Sequence, residues 1–220
     1  FMKNLREKLM HMVFFLCALT SIFAVVLICI FLFANGVPAM KEIGLLDFLT
    51  GAKWKPGNDI YGILPMILGS LYITAGAIVI GVPIGLLTAV FMAFYCPKKL
   101  YGLLKPCTEL LAGIPSIVYG LFGMLFFVTR LHWGYSLLAG AMTLAIMILP
   151  LIMRTAEEAL IAVPDSYREG SFGLGAGRLR TVFRIVLPAA GPGILSGVIL
   201  GIGRIVGETA ALIFTAGTMA

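Results

Sequence analysis

The chain has 220 residues, 60% of them hydrophobic and 12% charged, with a formal net charge of +6 and a mean hydropathy of +1.06. Soluble domains carry roughly 45–50% apolar and about 25% charged residues, so this composition excludes a soluble globular domain and indicates an integral membrane protein. The positive balance does not indicate a nucleic-acid partner, because the basic residues fall in short segments between apolar runs. The cysteines form no framework. Cys17 and Cys29 lie in the first apolar run, Cys96 and Cys107 flank a short basic stretch, and no pair has metal-ligand spacing.

Residues 12–34 are uncharged and long enough to cross about 30 Å of hydrocarbon. The run exceeds a signal-peptide core and is expected to be an anchoring first span. A polar external segment over 35–62 follows, containing "TGAKWKPGND". The second span, 63–95, is over-long and interrupted by Pro83, which predicts a tilt or kink. "CPKKLYGLLKPCTE" reads as a loop, 110–129 as the third span and 136–153 as the fourth. The longest polar segment, Arg154 to Phe183, precedes a fifth span over 193–214.

With the N-terminus inside, Lys3, Arg6, Lys8, Lys98, Lys99, Lys105, Arg154, Arg168, Arg178, Arg180 and Arg184 are cytoplasmic. Only Lys41, Lys53, Lys55 and Arg130 are external. This asymmetry predicts a multi-pass protein of the cell membrane with a cytoplasmic N-terminus and a cytoplasmic segment over 154–188.

That segment carries the signals of folded structure. Pro164 and Asp165 suit the first turn of a helix, and Gly175 suits its stop. In the next helix Leu179, Val182, Phe183 and Val186 recur at i, i+3, i+4 and i+7, with Arg180 and Arg184 on another face. The residues alone leave two readings open: a helix lying in the lipid headgroup layer, or a compact docking element for a cytoplasmic partner.

Arg204 and Glu208 stand in the middle of the fifth span, four residues apart and so on one face of a continuous helix. A charge there costs roughly 2.5–3.5 kcal/mol even on lenient insertion scales. Two readings remain: an ion pair steadying the bundle, or a water-filled path in which Arg204 receives an anion. The guanidinium is suited to a phosphate, since it offers planar paired donors and keeps its charge. The depth of Arg204, roughly 20 Å along the helix from Ala190, favours the path.

Glu169-Gly170-Ser171, three residues, Gly175, nine residues, then Ile185-Val186-Leu187-Pro188 resembles the E-A-A-x3-G-x9-I-x-L-P motif of ABC importer permeases. Gly170 and Ser171 replace the two alanines, keeping small side chains at lower helix propensity. Together with "FLTGAKWKP", "YGILPMILGSL", "ELLAGIPSIVYGLFG" and "LGIGRIVGETAAL", the chain resembles the phosphate-specific transport family, its PstC subunit more than PstA.

The resemblance implies an all-α polytopic transmembrane helical bundle with the type I ABC importer permease fold, a single permease domain over 1–220. It holds five spans, and a sixth, found in that family, is absent from this sequence. It implies a coupling segment of Glu169, Gly170, Ser171, Gly175, Ile185, Leu187 and Pro188 against an ATPase subunit dimer, bordered by Arg178, Arg180 and Arg184. It implies translocation of inorganic phosphate past Arg204 and Glu208, a PstA-like permease subunit, an extracytoplasmic phosphate-binding protein, and membrane lipid around the bundle. No cofactor, metal or catalytic residue is expected.

In "GIPSIVYG" the residues favour ordinary close helix packing over substrate contact. "GIGRIVG" lies in a span with no strand before it, and "GLGAGR" lacks the following Gly-Lys-Ser/Thr, so neither is a nucleotide loop. ATP hydrolysis is accordingly expected in a separate subunit. The alternatives are a permease for another oxyanion, such as molybdate or sulfate, and an ion-driven secondary transporter.

Overall fold

A computed structural model describes the backbone of residues 2–217 and the side chains of 7–217. The side chains of Lys3 and Arg6, counted above as cytoplasmic, lie outside it. The chain divides into two compact units, Phe1–Met66 and Ile67–Ala220.

In the first unit, α1 (Met2–Ile43) is one helix of 42 residues that runs through Pro38 and well past both ends of the expected first span. Its apolar side chains are exposed all round, among them Phe14, Ile22 and Phe31, the pattern of a helix whose solvent is lipid. The external stretch is therefore helical as far as Ile43. It continues as α2 (Leu45–Thr50) and a hairpin of β1 (Trp54–Lys55) and β2 (Ile60–Tyr61), with Trp54 opposite Tyr61 and Lys55 opposite Ile60. The two facing rings meet edge to face, 5.8 Å between centroids. The base of the hairpin closes because Gly51 and Gly62 lack side chains: a Cβ on Gly51 would fall 2.6 Å from the Gly62 Cα.

The second unit is built around α6 (Leu137–Ile161). Ser136 caps it, its hydroxyl accepting the Ala139 N–H at 3.2 Å. Leu144, Met147, Ile148, Ile152 and Leu160 are almost wholly buried. Against this post pack α3 (Leu64–Val90), which continues as a π-helical turn over Phe91–Tyr95, and α10 (Gly191–Val206). On α3, Gly81 and Gly85 face Ile148 and Ile152 in rising register, so the two helices run the same way. On α10, Gly193, Gly197 and Gly201 face Ala159, Thr155 and Ile152 in falling register, so α10 runs back. Small residues four apart let these backbones approach, the usual device of helix packing in lipid.

The remaining elements depart from the sequence reading in instructive ways. The basic "loop" after the second span is a helix, α4 (Lys98–Ala112). Its Lys-rich composition hid an amphipathic pattern. Leu110–Ala112 close α4, and the third span starts only at α5 (Ser116–Gly123), which runs on as a π-helix over Met124–Arg130. Between them Gly113-Ile114-Pro115 turns the chain by 96°, because Pro115 disfavours helix at the preceding residue. α4 and α5 therefore do not share an axis. α6 also outlasts its apolar run, ending at Ile161, since Ala-Glu-Glu-Ala is good helix-forming sequence and Arg154 pairs with Glu158 at 3.0 Å. The polar segment therefore begins at Ala162 and not at Arg154.

A hydrogen-bonded chain ties α4 to α6. The Lys105 ammonium donates to the Tyr101 hydroxyl at 2.9 Å, and that hydroxyl donates to the buried Glu157 carboxylate at 2.7 Å. The Tyr101 hydroxyl, with the Glu157 charge behind it, raises the Lys105 pKa above its ordinary value, so Lys105 stays charged through neutral pH.

Among the described residues, three helices are long and apolar enough to cross a membrane: Glu7–Ile43, Leu64–Tyr95 and Leu137–Ile161. The count reaches five if each bent pair, Lys98–Ala112 with Ser116–Arg130 and Arg178–Ala189 with Gly191–Val206, is one span.

Two substitutions test this packing by thermal unfolding in detergent. Gly197→Leu drives a side chain into Thr155 and should cost about 1–3 kcal/mol, whereas Gly203→Ala, with no neighbour within 4 Å, should leave the midpoint unchanged or slightly higher. Tyr101→Phe strips Glu157 of its donor and should cost about 1–3 kcal/mol; an unchanged midpoint would mean that Glu157 is solvated.

Candidate coupling elbow and translocation site

After α6 the chain turns at Ala162, and Pro164 sits at the N-cap of α7 (Asp165–Gly173). Asp165 lies in the first turn, where a negative charge is favoured, and pairs with Arg168 one turn on. α7 ends in a two-bond reversal: the Gly175 N–H donates to the Phe172 carbonyl at 2.9 Å and the Ala176 N–H to the Ser171 carbonyl at 3.1 Å. Gly175 has φ +82°, a left-handed conformation that costs other residues about 1–2 kcal/mol, so its position predicts the stop correctly.

The chain then climbs through α8 (Arg178–Thr181), a π-helical turn over Val182–Val186, and α9 (Leu187–Ala189). The two arms of this elbow are pinned by buried hydroxyls. Ser171 Oγ lies 2.8 Å from Thr181 Oγ1, which in turn donates to the Gly177 carbonyl at 3.1 Å. With its own proton so engaged, Thr181 accepts and Ser171 donates.

The expected single apolar stripe on the second arm is split. Val182 and Val186 are buried against α3 and α6 residues, while Leu179 and Phe183 are exposed. Thr181, made buriable by its two hydrogen bonds, takes an inward position. Leu179 and Phe183 instead line an open groove of about 990 Å³ between the arms, with Tyr167, Leu174, Arg180 and Arg184. Gly170, Ser171, Gly175 and Ile185 also line it. Glu169 is exposed on α7 beside the groove, and Leu187 and Pro188 stand at the end of the second arm, where the helix bends by 66° into α10. Arg178 does not border the groove with Arg180 and Arg184; it faces a separate cavity with Arg168. Leu174, at the tip, is 91% exposed. The whole arrangement is an apolar, arginine-edged socket presented by two hydrogen-bonded arms.

The translocation candidates lie at the far end of α10. The fifth span is not continuous: α10 stops at Val206, Gly207 caps it, and α11 (Ala210–Thr215) begins after Glu208 and Thr209. Glu208 therefore does not share a helix face with Arg204. Its carboxylate accepts the Ala211 N–H at 3.2 Å, and so serves the free N–H groups that open α11. Arg204 occupies the last turn of α10, where a cation complements the helix dipole. Among the described residues the ion pairs are Arg154–Glu158 and Arg168–Asp165, so none joins Arg204 to Glu208. Both side chains are partly buried. A guanidinium left unpaired beside an unwound backbone can receive an anion or polar group that the broken helix also contacts.

Sequence reasoning missed Glu157 and the Ser171–Thr181 pair. Glu157 sits next to Glu158 at the polar end of an apolar run, where either could be the buried one. Thr181 lies ten residues from Ser171, a pairing that only the glycine reversal between them brings about.

Comparison with known proteins places the chain. The family described as binding-protein-dependent transport system inner membrane component matches residues 81–220. The chain is 38% identical over 220 residues to the probable ABC transporter permease protein YqgH of Bacillus subtilis, covering 96% of this chain and 71% of that protein. It is 34% identical over 215 residues to the phosphate transport system permease protein PstC of Mesorhizobium japonicum, covering 86% and 65%. It is 32% identical over 215 residues to PstA of Haemophilus influenzae, covering 97% and 74%. A solved inward-facing structure of the MetNI methionine ABC transporter aligns with a TM-score of 0.58 and 25% identity, covering 66% of this chain and 73% of that one. The chain therefore belongs to the binding-protein-dependent transport system inner-membrane component family, as a multi-pass permease with the type I ABC importer fold.

Proposed function

We propose that this chain is the permease subunit through which an ATP-driven importer carries inorganic phosphate across the bacterial cytoplasmic membrane. The reading rests on similarity over 215 residues to proteins named as phosphate transport permeases. Arg204, partly buried at the broken end of α10, offers the chemistry such a substrate needs. The chain acts as one permease domain over 1–220, PstC-like, beside a PstA-like subunit. An extracytoplasmic binding protein delivers phosphate, and the N-terminus is cytoplasmic. The chain hydrolyses no ATP itself. An ATPase dimer seats against the elbow through Glu169, Gly170, Ser171, Gly175 and Ile185, and the bend at Leu187 and Pro188 passes its motion into α10. Glu208 holds the break open by capping α11, which keeps Arg204 addressed to the path.

Reconstitution with the partner subunits tests both ends. Arg204→Gln should abolish phosphate uptake with assembly intact, and molybdate and sulfate should not compete in the unaltered protein; normal uptake by the variant would remove Arg204 from the path. Gly175→Val strains the reversal by about 1–2 kcal/mol, and should uncouple ATP hydrolysis from stimulation by the binding protein, as should Glu169→Ala. Full stimulation in both variants would contradict the elbow's role.

A further inference from the structure

The elbow has a second concave face that the coupling role does not use. A cavity of about 140 Å³ opens where α7 and the second arm meet the π-helical end of α3, and it shares no lining residue with the groove. Its walls include Phe94 and Tyr95 from α3, Phe172 and Arg168 from α7, and Arg178 from the second arm.

The two guanidiniums are held differently. Arg168 is fixed: its guanidinium carbon lies 5.5 Å from the centre of the Phe94 ring, and one Nη is taken by Asp165. The remaining donors of its planar fork are left for another acceptor. Arg178 is exposed and has no carboxylate within ion-pair distance among the described residues. Asp165 offsets part of the Arg168 charge from outside the cavity, while the lining itself holds two guanidiniums and no carboxylate, which leaves it net positive.

The position narrows the anion. The helix Leu64–Tyr95 is long and apolar enough to cross a membrane, and the cavity lies at its last turn, the end followed by the basic Lys98-Lys99 pair. Tyr95 and Phe172 are 36% and 46% exposed there, as aromatic rings at a headgroup boundary are. Basic pockets beside spans at such a boundary take phosphate-bearing groups, and a planar guanidinium matches their oxygens in pairs.

We propose that Arg168 and Arg178 form a binding site for a phosphate-bearing anion, either the headgroup of an anionic phospholipid or free inorganic phosphate, which ties the elbow to the end of α3. This site is distinct from the translocation path, and its occupancy does not depend on what the permease carries.

The test is hydrogen exchange over residues 165–181 in the assembled transporter, reconstituted in nanodiscs of phosphatidylcholine alone, with added phosphatidylglycerol, or with added inorganic phosphate. The site predicts that at least one addition slows exchange roughly tenfold, the worth of one charge-assisted hydrogen-bonded pair. Protection by phosphatidylglycerol alone assigns the headgroup, and protection by phosphate alone assigns the free ion. Arg178→Gln and Arg168→Gln should remove the protection, Arg178→Lys should keep part of it, and Arg130→Gln should keep all of it. No protection in the unaltered protein by either addition, or full protection in both glutamine variants, would overturn the site. Should a glutamine variant fail to assemble, the unaltered protein and Arg178→Lys still decide.

Discussion

The close approach of α10 to α6 is the constraint on which the rest depends. Gly193, Gly197 and Gly201 lie against Ala159, Thr155 and Ile152, and a Cβ on Gly193 would come within 2.7 Å of the Ala159 Cβ. Such contact leaves no compliant layer of side chains between the helices, so they move together or slide as rigid bodies. The elbow is strung between the end of α6 and the start of α10, and Arg204 stands at the other end of α10. Under the proposed coupling, a displacement of the elbow reaches Arg204 along α10.

At three of its helix breaks the chain supplies groups that repair them. At 113–115 proline imposes the turn, and the Tyr119 hydroxyl donates to the Leu111 carbonyl across it at 2.8 Å. At 207–209 Glu208 takes up the Ala211 N–H. At 174–177 two backbone bonds and the Ser171–Thr181 hydroxyls close the reversal. Irregular backbone near a membrane is tolerated when it is satisfied in this way. Two of these repaired breaks coincide with the residues proposed for coupling and for substrate. Breaks supply groups that face outward from the helix ladder, and they let a helix change direction without unfolding.

Much of this architecture was legible in the sequence because lipid makes hydropathy nearly a direct readout of spanning helices. The second span and the Gly175 stop both followed from local chemistry. Polarity misled where it was equated with loops. α4 and the end of α6 carry lysines and glutamates yet are helical, because charged residues propagate helices well; Ala156 and Leu160 bury the end of α6, and α4 is tied to it through Tyr101 and Glu157. The Arg204–Glu208 spacing suggested a shared face, but helical spacing holds only in an unbroken helix, and the glycine at 207 with a capping carboxylate ended it. Glu157 was invisible for a different reason: its burial depends on Tyr101, from a helix 56 residues away in sequence.

The central claim is that the elbow lies in the cytoplasm and bears on the ATPase. In a variant whose Cys17, Cys29, Cys96 and Cys107 are replaced, a single cysteine at the tip position Leu174 can be challenged with a membrane-impermeant thiol reagent from either side. Labelling should occur in inverted vesicles and not in intact cells, and it should fall sharply when the ATPase subunits are bound. Labelling from outside, or labelling indifferent to the bound ATPase, would contradict the account.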